Sequence, residues 1–151
     1  MNRFPNSLQV ELQGNRRTWR LLALFSYLAP GFGAITVPPD FETDFASVRP
    51  VRTAGVFAVL IGLVLTLFVP WVGSLLAAFG LAALLLYAAV VSYGQEAAVI
   101  HDYLYATGLL PRLLADRVFR DALRSSGHAR WRAGLMWAGV RLGGRSRFKK
   151  G

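Results

Sequence analysis

The sequence predicts an α+β fold: a small N-terminal antiparallel β meander plus C-terminal helices, with a transmembrane helical hairpin inserted between them. Three observations predict it. Apolar residues alternate with polar ones near the start, an uncharged apolar stretch runs from Thr53 to Val91, and helical periodicity follows Gly94. The parts are residues 1–52 (β-rich), 53–93 (hairpin), 94–144 (helical, completing the first domain) and 145–151 (basic tail).

Leu8, Val10 and Leu12 alternate with polar neighbours, and Gly14-Asn15 follows as a turn. Trp19 to Leu28 is a mostly apolar strand-like run, stopped by Ala29-Pro30-Gly31. A third run, Ala34 to Val37, ends at Pro38-Pro39. The acid-rich stretch from Asp40 to Pro50 reads as a loop leading to the hairpin.

The apolar stretch has one natural break, Phe68 to Ser74, where Pro70 cannot continue a preceding helix. Each arm is then about 17 to 21 residues, enough to cross a hydrocarbon core of roughly 30 Å. Trp71 is a residue type that settles at a membrane interface. Arg49 and Arg52 precede the first arm and the turn is uncharged, which places both flanks in the cytoplasm. The competing reading is a buried hairpin in a soluble oligomer or virion core.

After Gly94, residues Gln95 to Tyr105 form either a new helix or a continuation of the second arm. Pro111 suits the first turn of the next helix, which puts Leu114, Ala115, Val118, Phe119, Ala122 and Leu123 on one arc and stops at Gly127. A last amphipathic segment, Ala129 to Gly144, precedes a basic tail expected to be mobile.

Of 151 residues, 54% are hydrophobic and 17% charged, too apolar for an ordinary soluble domain unless much of the chain faces lipid or a partner. Absence of cysteine excludes disulfides, thiolate metal sites and cysteine nucleophiles. The net charge of +9 suits an anionic membrane surface or nucleic acid. With much of the surplus in the C-terminal third and the tail, a lipid-surface or simply solvating role is the better reading, and nucleic acid ranks last because no recognition module is present. The first residues have no apolar core, so no cleavable signal peptide is expected.

Phosphate loops, HExxH zinc patterns and GxSxG elbows are missing. The candidate chemistry gathers at His101. Tyr105 lies four residues on and shares its helix face, whereas Asp102 points roughly 100° away. Asp116, at the edge of the next helix's apolar arc, can face inward. An imidazole base, one carboxylate to orient it and another to hold a hard cation make a hydrolytic site, which Asp44 could join. The alternative is a buried polar network that only fixes the domain. His128, in the turn after the second helix, reads as a surface or capping residue.

Val37-Pro38-Pro39-Asp40-Phe41-Glu42-Thr43-Asp44-Phe45-Ala46-Ser47-Val48 resembles the "VPxGFxTDxASVP" segment of an uncharacterised family of small phage and prophage proteins. Ala97 to Tyr105 matches its "AAxxHDxLY", Ala115 to Leu123 its "ADxxFxxAL", and Met136 to Arg141 is similar to its "MYxAVRxxG" end. Asp40 stands where that family usually has glycine, Arg49-Pro50 inverts its Pro-Arg order, and the hairpin fills a gap the family crosses in a short connection. The family is a domain of unknown function. A second resemblance is to phospholipase A2 domains, which use "HDxxY" followed by "AD". It implies that His101 activates a water, Asp116 orients His101, Tyr105 supports the network and Asp102 helps bind calcium. The glycine-rich calcium loop that precedes the histidine helix in those enzymes has no counterpart here.

The expectation is therefore a phage- or prophage-type membrane-anchored protein whose His/Asp cluster either holds its small domain together or forms a site at the membrane. The alternative is a phospholipase A2-like, calcium-assisted lipid hydrolase. The expected partners are the lipid bilayer and other phage or envelope proteins. The expected location is the bacterial inner membrane, multi-pass with cytoplasmic termini, or a virion.

Overall fold

A computed structural model describes residues 2–45, 49–90 and 93–148. Ala46-Ser47-Val48 of the first family-like segment, the end of the second arm at Val91-Ser92 and the last basic residues lie outside them. Among the described residues the chain is α+β, with antiparallel strands followed by five helices. It divides into two compact units: Met1–Phe45 with Tyr93–Gly151, and Ala46–Ser92.

In the first unit the strands are β1 (Val10–Leu12), β2 (Trp19–Leu21), β3 (Phe25–Ala29), β4 (Gly33–Val37) and β5 (Glu42–Thr43). They form two sheets, ordered β1-β2-β5 and β3-β4, instead of a single meander. The run from Trp19 to Leu28 is not one strand. Leu22 and Leu24 are exposed, and the Asn6 side chain takes the place of a ladder neighbour, donating to the Leu24 carbonyl at 2.5 Å and accepting from the Ser26 N–H at 3.1 Å. The acid-rich stretch is also more than a loop, because Glu42 and Thr43 pair with Arg20 and Trp19. Asp40 turns the chain into β5 at φ 65°, a left-handed conformation that glycine adopts without strain. That explains why glycine suits this position in the family-like segment.

Helices α3 (Gln95–Thr107), α4 (Arg112–Ser125) and α5 (Arg130–Gly143) complete this unit. Gly94, at φ 72°, makes α3 a separate helix, and a Cβ there would strike Leu123 Cδ2. Pro111 precedes α4 as its cap rather than lying in its first turn. Phe25, Tyr27 and Val37 of β3 and β4 are buried in one core with Ile100 and Leu104 of α3 and Phe119 of α4. Each such side chain contributes about 1.5–3 kcal/mol on burial. The segment read as a mobile tail starts with a 3₁₀ turn, Gly144–Ser146, after which Phe148 sets its ring edge-on to Tyr105 at 5.3 Å.

The second unit holds α1 (Arg49–Thr66) and α2 (Pro70–Val90), joined at Leu67–Val69. The first arm thus starts before Thr53, with Arg49 and Arg52 inside its opening turn. Its close contacts are made by glycines. A Cβ on Gly62 would lie 2.5 Å from the Ala77 nitrogen, one on Gly80 2.7 Å from the Gly55 carbonyl oxygen, and one on Gly73 would strike the Thr66 nitrogen. Large apolar side chains point outward instead: Phe68 is 76% exposed and Phe79 72%. Among the described residues, only α2 is long and apolar enough to cross a membrane, with mean hydropathy 2.1; the apolar run Val51–Thr66 is shorter.

Candidate functional site: a buried His-Asp-Tyr-Arg cluster

Glycines fix the helix that carries His101. Gly94 opens α3, and Gly108, at φ 66°, closes it by donating its N–H to the Leu104 carbonyl. His101 and Tyr105, one turn apart, pack with ring centroids 4.0 Å apart and their planes tilted by 41°. Asp116 sits on the inner face of α4 because its neighbours Ala115, Val118 and Phe119 are core residues.

Asp116 is fully buried, and both its oxygens are engaged. Oδ1 accepts from His101 Nε2 at 2.9 Å and from the Tyr105 hydroxyl at 2.6 Å. Oδ2 accepts from Arg141 Nη1 at 2.7 Å. Arg112, one turn before Asp116, donates through Nε to the Tyr105 oxygen at 3.2 Å and through Nη2 to the carbonyls of Val140 and Arg141. One arginine thereby ties α3 and α4 to the end of α5.

The electrostatics follow from these contacts. Burial alone would raise the Asp116 pKa, but hydrogen bonds from His101, Tyr105 and Arg141 outweigh it and hold the carboxyl below its ordinary range. Asp116 is therefore ionised and accepts an N–H from His101 Nε2; in the neutral tautomer that carries this proton, Nδ1 is the nitrogen that can accept. Burial, reinforced by the hydrogen bond to Asp116, pushes the Tyr105 phenol up to about 12. A raised phenol pKa contributes stability that is complete below about pH 10 and lost as pH rises through about 12. Alkaline titration at 295 nm should show a phenol at about pH 12 that is missing from Tyr105→Phe. In Asp116→Asn it should move back toward 10; an unmoved titration would contradict the coupling.

The other acids are placed differently. Asp102 accepts from Thr43 Oγ1 at 2.5 Å, and its Oδ1 stands 4.0 Å from His101 Nδ1, beyond direct hydrogen bonding. Burial raises its pKa, against the lowering effects of Thr43 and His101. Asp44 pairs with Arg147 at 3.8 Å. Asp102 and Asp44 do not gather a carboxylate cluster for calcium among the described residues. Calcium takes about six to eight oxygens, whereas among the described residues no group of three or more metal-ligating side chains converges. His128 packs edge-on to Tyr93 at 5.8 Å, away from the cluster.

Sequence reasoning missed Arg112, Arg141 and Thr43. Arg112 carried a signal, the four-residue spacing to Asp116; the other two reach the cluster only through the tertiary fold.

Residues 82–140 match the model of a family described as a protein of unknown function, DUF1353. The match spans less than half of the chain and includes α3, α4 and most of α5, hence His101, Asp102, Tyr105, Arg112 and Asp116. Thr43, Asp44 and Arg141 lie outside the stretch similar to DUF1353. Neither the curated proteins nor the solved structures compared gave a match.

Proposed function

We propose that this is a membrane-anchored protein of phage or prophage type, in which the His101–Asp116–Tyr105–Arg141 cluster holds the small domain together. One observation carries the structural role of the cluster. Asp116 is 0% exposed with both oxygens satisfied, and His101 is 3% exposed, so the network is closed rather than open to substrate. Anchoring is supported by the second unit, where glycines fill the helix contact and bulky apolar groups face out, as bilayer helix pairs do. Both arms cross in this reading, with α1 using its shorter apolar run and a modest local thinning of the bilayer. Arg49 and Arg52 then keep both flanks cytoplasmic. The phage association rests on the family-like segments around Asp44, His101 and Asp116.

A second reading, a phospholipase A2-like hydrolase, is favoured by one specific feature. With Nε2 donating to Asp116, a neutral His101 would carry its proton acceptor on Nδ1, the arrangement a His/Asp hydrolase uses to activate water. His101→Gln, which preserves a donor near the Nε2 position and removes the base, separates the two. The structural reading expects His101→Gln to retain more stability than His101→Ala, which should lose about 1–3 kcal/mol, and expects no fatty-acid release from phospholipid vesicles with calcium by wild type or variants. Release by wild type that disappears in a stably folded His101→Gln would establish the hydrolase instead.

A further inference from the structure

We propose that the outer faces of α4 and α5 form a docking surface for anionic phospholipid headgroups. The proposal rests on the reading of the second unit as bilayer-embedded, which supplies the neighbouring surface.

The outward stripe of α5 is apolar. Trp131, Leu135 and Leu142 are 55%, 40% and 87% exposed, and they recur at helical spacing opposite the buried Ala133 and Val140. A helix on the rim of a small domain has no folding reason to present tryptophan and leucines to water in a row. The outward stripe of α4 is cationic: Arg117, Arg120 and Arg124 are all exposed, opposite Ala115 and Ala122. The cationic stripe reaches the half-buried flank of α5, because the Arg120 guanidinium lies 5.5 Å from the centre of the Trp137 ring.

Charge selects the occupant. Helix α5 contains no acid, and of the two on α4, Asp116 is buried and Asp121 half-buried. Arg130, Arg132 and Arg145 flank the apolar stripe. A tryptophan-and-leucine ridge bordered by arginines suits a layer whose outside is anionic and whose inside is hydrocarbon. A second copy of the same face would set arginines against arginines. A nucleic acid would leave Leu135 and Leu142 without an apolar partner.

The absence of cysteine permits a single-site probe. An environment-sensitive dye on Leu135→Cys of the full chain is read in nanodiscs of phosphatidylcholine alone and of phosphatidylcholine with phosphatidylglycerol. Leu12→Cys, on exposed β1, is the control. The expected result is a blue shift and quenching by nitroxide lipids for Leu135→Cys in the anionic discs only. Neutralising Arg117, Arg120 and Arg124 to Gln should lower the docked-to-free ratio on the order of a hundredfold, given the usual gain per basic residue at an anionic surface. High salt should do the same. Equal signals in both disc types would overturn the proposal. So would protection that follows the number of chains per disc, which assigns the face to a second copy, or protection by added DNA without anionic lipid. Failure of the chain to enter discs at all would instead refute the anchoring on which the proposal rests, and the proposal with it.

Discussion

Replacing Asp116 by alanine should cost about 3–5 kcal/mol, enough to unfold much of a marginally stable domain. Three donors converge on this one buried carboxylate: His101 Nε2, the Tyr105 hydroxyl and Arg141 Nη1. Removing it leaves an arginine charge without its partner and two buried polar groups unsatisfied. Asp116→Asn should cost less, since the amide oxygen still accepts, but its NH2 must then face a donor. Chemical denaturation followed by circular dichroism in detergent measures both. The pH dependence has a fixed sign. Because the folded pKa of Asp116 lies below the ordinary carboxylate value, its contribution is present above that value and disappears as pH falls through the folded one. Wild type should therefore lose stability on acidification through a component that Asp116→Asn lacks. A loss below about 1 kcal/mol for Asp116→Ala would remove the cluster from its structural role.

The second large effect belongs to the helix pair. Gly62→Ala and Gly73→Ala should each destabilise the α1–α2 contact by about 1–3 kcal/mol or more, because the added methyl meets backbone rather than a side chain that could turn away. In Gly62→Ala the new carbon would lie 2.5 Å from the Ala77 nitrogen, so the helices must separate along their length. The midpoint of unfolding by SDS in mixed micelles is the readout. Gly134→Ala, where an added Cβ meets nothing within 4 Å, should leave it unchanged. Equal midpoints for all three variants would contradict the glycine contact.

Much of this architecture could be read from local signals. The uncharged stretch with Pro70 at its break located the helix pair, and Gly94, Gly108 and Gly127 mark where α3 and α4 stop or start. His101 and Tyr105 were paired by a spacing of four, and Asp116 stood out as an acid on an apolar arc. What escaped depends on distant parts of the chain. Arg141 meets Asp116 across 25 residues and Thr43 meets Asp102 across 59, separations that no helical or strand period encodes. The division of the strands into two sheets depends on a side chain, Asn6, that terminates a ladder from outside it. Alternation within Trp19 to Leu28 could not disclose that.

The interruption of the first unit has a consequence for how the protein is made. Strands β1 to β5 leave the ribosome well before α3, yet their apolar faces share one core with α3 and α4. Until then Phe25 and Tyr27 have Phe4 beside them but lack the α3 and α4 side chains that complete their core. The helix pair is complete as soon as α2 is synthesised, since its contacts are internal to Ala46–Ser92. Its antiparallel arms, with Gly55 against Gly80, bring the ends of a long insertion close together and turn a costly closure into a short one. Assembly is thus ordered by the chain itself: the glycine-packed pair forms first, and the two halves of the domain meet only after it.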